Sequence, residues 1–248
     1  MEIDKTSALT GLLNQVARVT GAGSGIGKAI ALALAAHETK LWLVGRTESK
    51  LRSVAASAGQ RTDPHCLPVD LAYGPEIMKL AEKVQGNSGR LDILIHCAAH
   101  IALGSFEKAS VDELDRHYQV NVRAPYLLTQ ALLPLLRKHR GQIVFINSST
   151  GLATSANTSQ YSASKFALRA LADSLRQEVN EEGIRVLSIF PGRTASPLQA
   201  AVHAMEGKEY HPDRLMHPDD VASVVVNALA MPRSAEVTEI HMRPFLKS

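Results

Sequence analysis

Cysteine is nearly absent from this chain: Cys66 and Cys97 are its only two thiols, and no CxxC spacing joins them. That excludes a disulfide framework, and a reducing cytoplasm is the expected compartment. No run of 18 or more apolar residues occurs, so no membrane-spanning helix is expected. The opening residues, Met1-Glu-Ile-Asp-Lys-Thr-Ser7, lack the basic-then-apolar layout of a secretory signal. Charge of one sign is scarce as well. The formal net charge is +3 and the basic residues are dispersed, which excludes the cationic footprint of a nucleic-acid binder. The ten histidines are scattered, and no structural zinc is expected.

What the chain does have is apolar content: 45% of its 248 residues are hydrophobic, ample for a buried core. Short apolar runs alternate with longer helical patterns. Strands are predicted near 14–20, 40–45, 64–69, 91–97, 141–147, 184–190 and 237–242. Helices are predicted near 25–37, 48–58, 74–87, 110–138, 159–182 and 218–231. Ile143-Val-Phe-Ile146 and Leu91-Asp-Ile-Leu-Ile95 are continuous apolar runs, as strands buried on both faces should be. Repeated βα units imply an α/β fold: a doubly wound, Rossmann-like parallel sheet of about seven strands with helices on both faces. One domain is expected over residues 1–248, with residues 1–12 as a loose tail. Arg18 is out of place in the first strand, because arginine is rarely buried without a partner.

Thr20-Gly-Ala-Gly-Ser-Gly-Ile-Gly27 follows that first strand and opens the first helix. Its glycines permit a tight turn and a close backbone approach to a pyrophosphate, and the helix N-terminus offers free N–H groups. The second strand runs into Gly45-Arg46-Thr47 with no acid to hold a ribose 2′-hydroxyl. An arginine there suits a 2′-phosphate, so NADPH is expected over NADH.

Tyr161-Ser-Ala-Ser-Lys165 places a phenol and an ammonium four residues apart in a predicted helix, hence on one face. A free tyrosine titrates near roughly 10 and is a poor base at neutral pH. A nearby cation favours the phenolate, so the pair can act as acid or base on an alcohol or carbonyl. Ser148 closes the fifth predicted strand, thirteen residues before Tyr161, and Asn121 lies in a predicted helix.

Taken in order, these motifs resemble the short-chain dehydrogenase/reductase family in its compact, single-domain branch, from about residue 12 to 244. The likeness rests on the glycine loop, Val69-Asp70-Leu71, Asn121, the Ser148/Tyr161/Lys165 set and Pro191-Gly192. It implies that Tyr161 exchanges a proton with the substrate oxygen, and that Lys165 lowers the tyrosine's pKa and binds the nicotinamide ribose. Ser148, rather than Ser149, would steady the developing alkoxide, because Ser148 fits the family's Ser-x-x-Gly with Gly151. Asn121 would support a water linking the lysine to bulk solvent. Cofactor contacts would come from Gly21, Ser24, Gly25, Ile26, Gly27 and Arg46, then Asp70, Leu71 and Ala98, then Pro191, Gly192, Thr194 and Ser196. Asp70 would meet the adenine, and Pro191 and Gly192 the nicotinamide. The chain departs from the family at His96-Cys97-Ala98-Ala99, where Ala99 replaces a glycine, at Ser196, which replaces a threonine, and at Arg18.

The resemblance implies an NADP-dependent oxidoreductase acting on a small carbonyl or secondary alcohol. Alternatives are a specialised sugar, fatty-acyl or steroid carbonyl reductase, or an NADPH-binding redox sensor with little turnover. Residues 197–215 are expected to form a mobile substrate loop, with Leu152, Ala153 and Thr158 on a wall suited to a neutral substrate. Apolar positions Tyr126, Leu127, Leu128, Leu168, Leu171 and Leu175 on the two long helices suggest a homodimer or homotetramer.

Overall fold

A computed structural model describes residues 10–59, 62 and 64–246. Seven parallel strands form one sheet in the order β3-β2-β1-β4-β5-β6-β7. They are β1 (Val16–Thr20), β2 (Lys40–Gly45), β3 (His65–Pro68), β4 (Ile93–His96), β5 (Gln142–Ile146), β6 (Arg185–Pro191) and β7 (Glu239–Met242). All seven coincide with predicted strands to within a few residues. The order reverses between β1 and β4, and ligands of such sheets bind beyond the strand C-termini at that switch point.

Alternate residues of each strand feed two separate cores, as the pleat requires. Ala17, Val19, Leu41, Leu43, Ile93, Ile95, Val144 and Ile189 face one side. There they meet α1 (Gly25–Ala36), α2 (Glu48–Ala58) and α8 (Pro218–Leu229). Val16, Trp42, Val44, Leu94, Ile143, Phe145 and Val186 face the other. That side is covered by α3 (Gly74–Ser88), α5 (Ala124–His139) and α6 (Ser159–Val179). A strand apolar at every position is what a sheet covered on both faces needs.

Three expectations change. The helix expected over 110–138 is α4 (Val111–Tyr118), a π-helical turn over Gln119–Arg123, and α5. In the π turn the Ala124 N–H reaches back five residues to the Gln119 carbonyl. The expected mobile loop at 197–215 instead contains a helix, α7 (Pro197–Met205). Proline at its first turn and the Ser196 hydroxyl, which accepts from the Gln199 N–H at 3.1 Å, start it well. Of the expected tail, residues 1–9 lie outside the described residues, whereas Thr10–Leu12 form a 3-10 turn that buries Leu12.

Arg18 is 1% exposed in β1. Its guanidinium sits 4.8 Å from the centre of the Trp42 ring, and Nη1 donates to the Arg90 carbonyl at 3.2 Å. Burial pushes its pKa down to about 9, against an opposing pull from Asp92. Asp92 also accepts from the Val16 N–H at 2.8 Å and from Arg90 Nε at 2.7 Å, tying the start of β1 to β4. Among the described residues no helix is long and apolar enough to cross a membrane.

Candidate active site

A single cleft of about 790 Å³ runs along the C-terminal edge of the sheet, from the turn after β2, across the glycine loop, to the N-terminal part of α6. It gathers nearly every residue singled out from the sequence. Gly21, Ser24, Gly25, Ile26, Gly27, Arg46, Asp70, Leu71, Ala98, Pro191, Gly192, Thr194, Ser196, Ser148, Tyr161 and Lys165 all line it. Asn121 does not; it stands behind the wall.

The glycine loop is closed tightly at two of its glycines. Gly21 has φ +68°, and a Cβ there would lie 2.8 Å from the Ala98 nitrogen. A Cβ on Gly27 would overlap the Gly21 carbonyl. Ser24 starts α1 without a side-chain cap, so the first N–H groups of that helix stay available to an anion. Arg46 lies beyond β2, and Lys50, in the first turn of α2, adds a second cation to the same end. Lys50 escaped the sequence reading, although its position four residues after Arg46 was a usable signal. These residues fit a phosphorylated dinucleotide. After β3 the Asp70 carboxylate accepts from the Ala72 N–H at 3.0 Å, which shapes the turn that borders the cleft. Ala99, the departure from glycine, has φ outside the left-handed region, so its methyl group brings no backbone strain.

At the other end Tyr161 is buried on α6, facing Ser148 and Thr150. The Thr150 N–H and hydroxyl donate to Ser148 Oγ at 3.2 and 2.9 Å, while Ser149 is exposed. Thr150 is a further participant that the sequence alone did not flag. Burial pushes the Tyr161 phenol up to about 12, and hydrogen bonds from Ser148 and Thr150 only partly offset this. Lys165 is 1% exposed; its Nζ donates to the Ile146 carbonyl at 3.1 Å and lies 5.8 Å from the Tyr161 ring centre. Burial pushes its ammonium down to about 8. The expectation that Lys165 lowers the tyrosine's pKa is therefore not met in this state. Desolvation is the largest cause of the shift of each group.

Asn121 is buried behind the cleft wall. Its carbonyl oxygen accepts from the His100 N–H at 2.8 Å, and its amide donates to the His100 carbonyl at 2.9 Å and to Ser164 Oγ at 3.0 Å. The side chain thus clamps the segment after β4. Thr194 is buried, donates to the Gly192 carbonyl at 3.1 Å and bridges Met216. Ser196 caps α7 while its N–H donates to the Tyr210 hydroxyl at 3.1 Å.

Histidines left unassigned by the sequence have defined places. His96 is buried, 2.8 Å from Thr129 Oγ1 and stacked on Phe145, and burial drives its pKa down to about 3. His100, Glu113 and His117 converge, with His100 Nε2 at 2.6 Å from Glu113. Both His117 nitrogens meet main chain: Nε2 accepts from the Ala102 N–H at 3.1 Å, and Nδ1 lies 2.6 Å from the Glu113 carbonyl. The trio pins the loop that forms one wall of the cleft.

Residues 15–207 match the model of the short chain dehydrogenase family. An uncharacterized oxidoreductase of Staphylococcus aureus strain USA300 is 34% identical over 237 residues, covering 95% of this chain and 100% of the relative. A short chain dehydrogenase of Shigella flexneri 2a strain 301, solved with NADP, is 32% identical with a TM-score of 0.85, covering 94% of this chain and 98% of that one. One from Escherichia coli CFT073, solved with NADPH, is 32% identical with a TM-score of 0.84 and the same coverage. The chain belongs to the short-chain dehydrogenase/reductase family and is an oxidoreductase of that type.

Proposed function

We propose that this protein transfers a hydride between NADP(H) and a small carbonyl or secondary alcohol, with Tyr161 as the acid or base. The observation that carries the reading is the placing of the Tyr161 hydroxyl against Ser148 and Thr150, in the same cleft as the glycine loop, Arg46 and Lys50. The NADP and NADPH bound to the Shigella flexneri and Escherichia coli relatives support the choice of cofactor.

When bound, the cofactor supplies or takes up the hydride. The protein's own residues orient the oxygen and manage the proton. Ser148 donates to the substrate oxygen, and Thr150 fixes the Ser148 hydroxyl from behind. In reduction the oxygen becomes an alkoxide as its carbon gains the hydride. A phenol held at about 12 is neutral at pH 7, and an alkoxide is more basic than a phenolate, so the proton passes downhill from Tyr161. Lys165, whose burial leaves its charge weakly solvated, then stabilises the phenolate as the anion forms beside it. Asn121 is a positioning residue, acting through His100.

Arg46 and Lys50 support a preference for the 2′-phosphate of NADPH, as no carboxylate stands at the end of β2. Exposed Tyr118 and Tyr126 border a shallow groove with Val122 and Leu171 across the π turn and α6, which supports self-association through these helices. The deciding experiment is a comparison of Tyr161→Phe with the wild type, measuring NADPH binding and carbonyl reduction separately. Retained binding with lost turnover supports the enzyme reading; a wild type that binds NADPH and reduces no carbonyl would point to a redox sensor.

A further inference from the structure

Beyond the catalytic set, the substrate end of the cleft presents cations. Arg193, just after β6, and Arg116, in the last turn of α4, both line it. Arg193 is paired: its Nη2 donates to the two Glu206 oxygens at 2.7 and 2.9 Å, and Lys208 reaches the same carboxylate at 3.1 Å. That pair ties the end of α7 to the turn after β6, next to Pro191 and Gly192.

Arg116 is different. It is half-buried, and among the described residues it has no hydrogen bond or ion pair. Glu113, one helical turn earlier, attracts it electrostatically. The Glu113 carboxylate is nevertheless bound to His100 at 2.6 Å and does not line the cleft, whereas Arg116 and His100 do. The ligand therefore meets donors on this wall and not the acid behind them. Helix α4, which carries Arg116, borders the reacting end: His117 on the same helix packs against the Tyr161 ring with centroids 6.0 Å apart.

A guanidinium partly withdrawn from water, with its fork unfilled, favours a planar anion that can accept two hydrogen bonds. One fork is filled by one carboxylate; a phosphate dianion would keep uncompensated charge. We propose that Arg116 forms an anion subsite, so that the carbonyl substrate bears a carboxylate: a keto acid in reduction, the matching hydroxy acid in oxidation. This rests on the dehydrogenase reading of the same cleft. It replaces the expectation of a neutral substrate, which came from small wall residues; of these, Ala153 and Thr158 line the cleft and suit the carbon skeleton, while Leu152 does not line it.

Acetoacetate and its methyl ester share a ketone and differ in charge, so their kcat/KM values with NADPH isolate the subsite. The wild type should prefer the acid at least about tenfold, as expected for a charge-assisted pair. Arg116→Gln should lower that preference at least about tenfold, mainly through KM, and Arg116→Lys should keep an intermediate preference. An ester used as well as the acid, or a preference unchanged in Arg116→Gln, would overturn the subsite. Calorimetric titration of NADP-loaded protein with 3-hydroxybutyrate and 3-hydroxybutyramide separates the two readings. Tighter binding of the acid that disappears in Arg116→Gln, with no turnover of either ketone, would keep the subsite and reject the dehydrogenase reading. Equal binding of acid and amide rejects the subsite whatever the turnover.

Discussion

The Lys165 ammonium lies 5.8 Å from the centre of the Tyr161 ring and donates to the Ile146 carbonyl, at the C-terminal end of β5. Helical spacing brings the two side chains onto one face of α6; the sheet decides what each of them touches. Both are buried, and burial holds the phenol protonated and weakens the lysine's hold on its proton. In the proposed reaction such a site donates a proton, and the ion pair forms only when the phenol gives its proton away.

Tyr161→Phe removes the transferable proton and little packing. We expect kcat to fall by about a thousandfold while the NADPH dissociation constant, followed by fluorescence, stays within about threefold.

Lys165→Met should stabilise the fold while abolishing activity. A lysine pKa lowered from 10.5 to about 8 corresponds to a destabilisation of roughly 3 kcal/mol, part of which the Ile146 bond offsets. A gain of about 1–3 kcal/mol in urea unfolding at pH 7 is expected. The sign follows from linkage. Between about pH 8 and 10.5 the unfolded chain holds a lysine proton that the native state has released, so wild-type stability rises with pH across that window. In Lys165→Met the slope there should be shallower.

Arg46 and Lys50 bear on cofactor choice. Arg46→Ala and Lys50→Ala should each weaken NADPH binding by about tenfold and leave NADH binding within about threefold. An equal loss for both cofactors would place the two cations elsewhere than at the 2′-phosphate.

His96 should make the protein acid-sensitive. Its native pKa is lowered to about 3, so below the ordinary histidine value of 6.5 the unfolded chain takes up a proton that the native state refuses. Stability should fall as pH drops from 6.5, by about 2 kcal/mol at pH 5 from this residue. His117, also shifted down by burial, adds to the slope. His96→Asn should flatten the acid limb of a plot of stability against pH, and an unchanged slope would assign the acid sensitivity to other groups.

Gly27→Ala should disrupt the glycine loop rather than tune it. The new methyl would meet the Gly21 backbone, which cannot swing aside as a side chain could. We expect NADPH binding to fall below detection in the fluorescence titration, with thermal unfolding reporting any accompanying loss of stability.

Much of this was legible in the chain because it is local. Strand runs such as Ile143–Ile146 announce burial on both faces by being apolar throughout. The glycine loop and the Tyr161–Lys165 spacing encode their geometry within a few residues. The π turn was not legible, since Gln119–Arg123 continues a helical pattern in which nothing marks a change from four-residue to five-residue bonding. Helix α7 was hidden for a similar reason. The segment 197–215 was expected to be a loop, but Ser196 caps a helix and Arg193 holds its far end through Glu206.

The sequence by itself determined the doubly wound class, the glycine loop and the spacing of Tyr161 and Lys165, because periodicity and short spacings act over a turn or a strand. Only the tertiary structure decided the electrostatic state of that pair, since desolvation depends on what packs around a group and not on its neighbours in the chain. It likewise decided that Asn121 clamps His100 and that Arg116 faces the cleft unpaired. Each of those relations joins residues brought together by the crossovers of the sheet, and no local pattern records them.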